Sequence, residues 1–173
     1  IGAVTFLVTL FTMWLLPDFT LRFLIITLGH TLYKLRITGA ENIPERGPAM
    51  LLSNHVSFID GILISACTSR RVRFLMHEDY YAVPILSPVA RLTGFVKVPS
   101  AGKHKSMSQM FDNVKDLLRS GKIVCVFPEG KLTRNGTIGF FKGGYEKMIP
   151  ADMDIPVIPV HIGDIWGSMF SYY

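Results

Sequence analysis

Residues 54–61 read "NHVSFIDG", with a histidine and an aspartate five positions apart, directly after the apolar run "AMLLS". Five is not a same-face spacing on a helix, where surface neighbours stand three or four apart. It does suit a histidine on a turn and an aspartate in the first turn of a helix that folds back toward it. In that arrangement the Asp60 carboxylate accepts from Nδ1–H of His55, fixes the tautomer, and leaves Nε2 free as a base, which is the His–Asp half of a triad. No G-x-S-x-G motif occurs, and Ser57, between the two, has no nucleophile-elbow signature around it. A base with an orienter and no enzyme nucleophile points to a hydroxyl of the substrate as the attacking group. The plain alternative is a helix-capping aspartate beside a satisfied histidine.

A second constellation is "VFPEGKLTRNG", residues 126–136. A buried-looking strand runs into Glu129, Gly130, Lys131 and Arg134. Gly130 permits close backbone approach. Lys131 and Arg134 can hold a phosphate, and Glu129 can accept from a substrate hydroxyl or orient a cation. The competing reading is a charged loop closed by an Asn135-Gly136 turn. Lys142, ahead of two glycines in "FFKGGYEK", can bind an anion at a helix start or sit in a solvated loop. His161 in "IPVIPVHIG" reads as a packed core histidine. Cys67 and Cys125 are too far apart for a metal motif and read as reduced structural thiols. No metal or other cofactor is implied.

These residues need a framework, and the hydropathy pattern supplies one. Strands are predicted over 35–38, 49–53, 72–76, 95–98, 123–127 and 156–162, and helices over 60–68, 84–93, 105–119 and 144–150. The clearest helix is 105–119, with Met107, Met110, Phe111, Val114, Leu117 and Leu118 at helical spacing and Gly121 as its stop. Strands alternating with helices predict an α/β fold, a mostly parallel mixed sheet flanked by helices, over 36–173. Sites in such folds lie at the carboxyl ends of strands.

The first 35 residues differ. Residues 1–16 carry no charge and fall slightly short of the ~20 needed to cross a bilayer. Residues 19–37 are apolar on nearly every side, with Arg22, Lys34 and Arg36 toward the ends. Together 1–35 predict a membrane-associated helical hairpin, with a core hairpin of a soluble domain as the alternative. Across the 173 residues the net charge is +5, the pI is about 9.3 and the mean hydropathy is +0.35. A basic excess suits anionic partners such as a phospholipid surface, a phosphorylated substrate or an acidic carrier protein. The cations are scattered, without an aromatic-interleaved basic stripe, which argues against a nucleic-acid partner.

N-H-x-x-x-x-D at 54–60, F-P-E-G at 127–130 and V-I-P-V at 157–160, in that order, resemble the 1-acyl-glycerol-3-phosphate acyltransferase family of glycerolipid acyltransferases. The resemblance spans about 36–165. It implies acyl transfer from a thioester of acyl-carrier protein or coenzyme A to a glycerol hydroxyl, with His55 as base, Asp60 its orienter, and Glu129 and Gly130 lining the acceptor site. Pro99 and Ser100 stand where the family's second block carries an acidic-Arg pair, which leaves Lys97 and Lys103 as phosphate-binding candidates. A closer likeness, carried by "FPEGKLTRNG" and "IWGSMFSYY", is to the acyltransferase module of bacterial fusions. These fusions join a lysophospholipid transporter, a 2-acylglycerophosphoethanolamine acyltransferase and an acyl-carrier-protein synthetase. That likeness implies lysophosphatidylethanolamine as acceptor, a place at the cytoplasmic side of the bacterial inner membrane, and residues 1–16 as the remnant of a transporter span. The rivals are acylation of lysophosphatidate or glycerol-3-phosphate and, from another class, a non-catalytic lysolipid-binding module.

Overall fold

The computed structural model describes residues 2–15, 20, 23, 27, 31, 33–84 and 86–171. Five strands form one sheet: β1 (Ala49–Ser53), β2 (Val72–His77), β3 (Val96–Val98), β4 (Ile123–Val126) and β5 (Val157–Val160). The order is β3-β2-β4-β1-β5, and all four neighbouring pairs are parallel. The sheet is therefore all-parallel rather than mixed. The predicted strand at 35–38 is an extended segment outside the sheet: Leu35 packs with Tyr33 on the small cluster of Val56, Leu63 and Ile165. Parallel neighbours require crossovers, and these run through α2 (Asp60–Ala66), α3 (Leu86–Thr93) and α4 (His104–Arg119).

The core follows from the pattern. β4, "IVCV", is buried at all four positions because β1 and β2 flank it and helices cover its faces. Met110, Val114 and Leu118 of α4 recur at four-residue spacing and pack against Met50, Val96, Val124 and Val126. Each such side chain, taken fully out of water, contributes about 1.5–3 kcal/mol. α4 ends at Gly121, whose φ of 75° is the left-handed turn a side chain disfavours. There Gly121 N–H donates to Leu118 O (2.8 Å) and Lys122 N–H to Leu117 O (3.0 Å), closing a Schellman motif. At the amino edge of the sheet, Arg70 donates to the carbonyls of Pro44, Gly47 and Gly121 and ties three loops together. The opposite, carboxyl edge is left for the site.

The helix predicted at 144–150 is a 3-10 turn, Gly143–Met148. Two glycines at its start and Pro150 beyond its end leave too few residues for α-helical bonding. At the N-terminus α1 spans Gly2–Leu15, with Val4, Phe6, Leu7, Val8 and Phe11 exposed. Most of the second predicted helix, 19–35, lies outside the described residues. Among the described residues no helix is long and apolar enough to cross a membrane.

Candidate active site

β1 is an interior strand, between β4 and β5, so its carboxyl end meets the carboxyl ends of both neighbours. The chain leaves β1 at Ser53 and turns through Asn54 and His55 into α2. Asn54 fastens the exit: its amide nitrogen donates to Ile162 O (2.9 Å) and its amide oxygen accepts from Ile162 N–H (2.8 Å). These two bonds extend the β1–β5 ladder past Val160 with a side chain in place of backbone. Asn54, a residue that gave no signal of its own in the sequence, is thus what holds the turn in register.

Asp60 opens α2 with its side chain fully buried, at 0% exposure. Its Oδ2 accepts from His55 Nδ1 at 2.8 Å, from Val56 N–H at 2.7 Å and from Ser57 N–H at 3.0 Å. Its Oδ1 accepts from the Ser57 hydroxyl at 2.6 Å. A carboxylate has no proton to give, so Nδ1 carries the hydrogen and Nε2 is left as the lone-pair nitrogen. Among the described residues Nε2 has no hydrogen-bond partner, and the side chain of His55 keeps 24% of its surface open. The imidazole lies against Phe127 with ring centroids 4.1 Å apart and 15° between planes. The hydrogen bond to the buried carboxylate and the stack on Phe127 together fix the ring and present one basic edge.

Ser57 and Asp60 have the S-x-x-D spacing of a capping box, and the carboxylate receives the Ser57 N–H, but the Ser57 hydroxyl donates to the carboxylate instead of accepting a helix N–H. Ser57 is thereby a partner of Asp60 rather than a nucleophile, a role its spacing alone could have signalled.

The loop after β4 wraps the other side of the turn. Glu129, only 4% exposed, accepts from His55 N–H with Oε1 (2.9 Å) and from Gly139 N–H with Oε2 (2.8 Å). One carboxylate so joins the backbone of the His55 turn to the far limb of the 127–142 loop. Thr133 adds a second tie, its N–H donating to His55 O at 2.9 Å. The loop closes on itself through Lys142 N–H to Pro128 O (2.9 Å). Gly130 has φ 67°, and a Cβ there would stand 2.9 Å from Lys142 Nζ. The sequence marked Glu129 by its motif; its bonding to two backbone N–H groups emerges only from the fold.

The structure thus brings His55, Asp60, Glu129, Gly130 and Lys142 together. Lys131 and Arg134 are exposed on the same loop, flanking Thr133. Lys142 precedes a six-residue 3-10 turn rather than a helix start, so its ammonium lies beside Gly130 instead of at a helix terminus. Lys97 is not brought in. It lies on β3, three strands from β1 and roughly 14 Å away at ~4.8 Å per strand. There Lys97 (3.8 Å) and Lys103 (2.6 Å) face Glu78, which also accepts from Ser100 N–H (2.9 Å) and the Ser100 hydroxyl. Hydrogen bonds from Lys103 and Ser100 hold the Glu78 carboxyl down at about 2. Pro99-Ser100, the departure in the second block, is therefore part of a loop bracketed by Glu78. Burial, with the charge of Asp60 adding to it, pushes the Cys125 thiol well above its ordinary range, and burial raises Cys67 as well. Both shifts favour the thiol form.

The last described segment seals the turn from below. Ser57 and Ser171 form an antiparallel bridge, Phe58 N–H donates to Phe170 O (2.9 Å), and Ile165 packs on Val56 and Leu63.

Similarity to known proteins agrees with this geometry. The chain is 29% identical over 132 residues to a chloroplastic 1-acyl-sn-glycerol-3-phosphate acyltransferase of Arabidopsis thaliana, covering 76% of this chain and 36% of that one. It is 30% identical over 130 residues to a 1-acyl-sn-glycerol-3-phosphate acyltransferase of Chlamydomonas reinhardtii, covering 74% and 38%. The chain thus spans little more than a third of the length of these relatives. In fold it matches the crystal structure of the 1-acyl-sn-glycerophosphate acyltransferase of Thermotoga maritima, with a TM-score of 0.60 at 19% identity over 81% of this chain and 65% of that one. The Acyltransferase family pattern covers residues 34–163, a span that takes in both turns of the site and all five strands, and the chain therefore belongs to that family.

Proposed function

We propose that this domain transfers a fatty acyl group from a thioester to a free hydroxyl of a lysophospholipid. The observation that carries the reading is the fixed imidazole of His55: Nδ1 bonded to buried Asp60 at 2.8 Å, and Nε2 open at the carboxyl edge of the sheet. The substrate hydroxyl gives its proton to Nε2 as its oxygen attacks the thioester carbonyl. Asp60 offsets the charge of the imidazolium that forms. The tetrahedral intermediate then expels the thiolate, which takes the proton back from Nε2 and leaves as thiol, restoring the base. Lys131, Arg134 and Lys142 supply cations for the lipid phosphate on the loop that borders His55, whereas Lys97 faces Glu78 instead. The exposed apolar side chains of α1 support anchorage to a bilayer, as do the apolar residues 19–35. We place the site on the cytoplasmic side of the bacterial inner membrane, served by acyl-carrier protein or acyl-CoA.

The names of the relatives favour lysophosphatidate as acceptor. The stretch E-G-K-L-T-R at 129–134 and the "IWGSMFSYY" segment favour the second reading, lysophosphatidylethanolamine acylation by a module of a transporter and synthetase fusion. Thiol release by the purified chain in detergent, with each acyl donor against lysophosphatidate, lysophosphatidylethanolamine and glycerol-3-phosphate, tests the reading and ranks the acceptors. Acceptor-dependent release that falls by about 10²–10⁴ in His55→Ala is expected of a positioned base. Lysolipid binding without thiol release in any combination would leave a non-catalytic lipid-binding module and end the enzymatic reading.

A further inference from the structure

Six large apolar side chains stand exposed around the site: Phe58, Ile138, Phe140, Phe141, Trp166 and Met169. Phe140 and Met169 are 89% and 85% exposed, far beyond what isolated surface hydrophobes need. They come from three separate segments that the structure locks together. Gly136 (φ 76°) packs so closely on Trp166 that a Cβ would stand 2.8 Å from the indole. Phe58 N–H donates to Phe170 O at 2.9 Å, and Gly139, the residue before Phe140, hangs from the same Glu129 carboxylate that holds His55 N–H. An apolar rim so fixed beside a reactive imidazole marks a surface that is covered in use.

Charge indicates what covers it. Within 127–142 the cations are Lys131, Arg134 and Lys142, and the one acid, Glu129, is buried against backbone N–H groups; Asp164 is the one exposed acid of the 163–171 segment, which leaves cations in excess. Exposed aromatics among unbalanced cations, with a tryptophan at the border, are the chemistry of an anionic lipid interface. We propose that the 136–141 loop and the 166–169 segment insert into the headgroup and upper acyl layer of an anionic bilayer, so that His55 meets its lysolipid at the membrane surface. This docking surface is separate from α1, and the inference rests on the lysophospholipid reading above.

The test uses the full chain carrying Trp14→Phe, which makes Trp166 the sole tryptophan. The chain is mixed with vesicles of phosphatidylglycerol and phosphatidylethanolamine in which some acyl chains are brominated. Trp166 fluorescence should be quenched, and Phe140→Asp should weaken vesicle partition by about tenfold, the worth of keeping one phenyl ring in water. Thiol release with a short-chain lysolipid dissolved below its micelle concentration should be unchanged in that variant. An unquenched Trp166 on vesicle-bound protein overturns the proposal, because α1 alone then holds the chain. So does a Phe140→Asp variant that partitions like the parent, or one whose only change is a shift from dimer to monomer in sedimentation, since the rim is then a protein interface. Quenching without acyl transfer would sink the catalytic reading and leave the docking surface standing; transfer without quenching would do the reverse.

Discussion

Asp60→Asn separates an aspartate that supports a charged imidazole from one that only holds the backbone of the turn. The amide oxygen can take the place of Oδ2 and keep the bonds from His55 Nδ1, Val56 N–H and Ser57 N–H, at 2.8, 2.7 and 3.0 Å in the native protein. The amide nitrogen then faces the Ser57 hydroxyl, now 2.6 Å from Oδ1, which can rotate from donor to acceptor, and the Ser57 N–H, 3.1 Å from Oδ1, which keeps its bond to the amide oxygen. Each retained bond loses its ionic share, but the buried negative charge disappears as well, so the fold survives with a small net change. Catalysis has no such compensation. An imidazolium facing a carboxylate at about 4 Å between charge centres gains roughly 4 kcal/mol at an effective dielectric of 20. Losing it costs about three decades in rate. The assay is kcat/KM for thiol release from pH 6 to 9, beside urea unfolding of the same samples. The expected result is a ~10³-fold drop with the unfolding midpoint nearly kept. A variant within threefold of the parent across that range would show that Asp60 only ties down the backbone of the turn and that the imidazole needs no counter-charge.

Glu129→Gln should cost stability rather than act through substrate affinity: one amide oxygen cannot receive both His55 N–H and Gly139 N–H, so a charge-assisted bond is lost and a buried donor faces a donor, together about 3 kcal/mol by urea unfolding. A change under ~0.5 kcal/mol would mean the loop is held elsewhere. Lys131→Ala and Arg134→Ala should raise the KM for lysolipid and leave that for the acyl donor unchanged; equal effects on both would move the headgroup site off this loop. Glu78, held at about 2 against its ordinary 4.5, contributes stability that is present above about pH 4.5 and lost as pH falls toward 2. Unfolding of Glu78→Gln should therefore lie below the parent at pH 6 and converge with it near pH 2, and a pH-independent gap would discard the ionic account.

The sequence located the five strands that form the sheet because each is a short, largely apolar run bounded by turn residues. It located α4 because its stripe repeats at helical spacing. It erred where a local pattern lacked a partner or length. "KLRI" alternates like a strand, yet Leu35 has a hydrophobic cluster to join and no ladder to complete. The segment after Lys142 looks helical, yet glycines and Pro150 cut it to a 3-10 turn. Parallel direction throughout was beyond reach, because register and order depend on crossovers rather than on any one strand. In the site, the five-residue offset of His55 and Asp60 was legible as turn chemistry. The clamps made by Asn54, Glu129 and Thr133 were not, since each joins residues far apart in the chain and only the sheet order makes them neighbours. The separation of Lys97 from His55 was hidden for the same reason: its spacing in sequence says nothing of the two strands interposed between β3 and β1.

The segment 165–171 lies beyond the residues matched by the family pattern, yet it pairs with Ser57, packs beneath Val56 and carries the tryptophan that meets Gly136. The reactive turn is therefore not a portable cassette. A chimera joined at Gly163 would bring a foreign floor under the imidazole, and grafts between relatives would fail or change selectivity at a seam that no motif marks. The boundary suitable for transplantation lies no earlier than Ser171, the last described residue that touches the turn, and is not set by the last residue that resembles another protein.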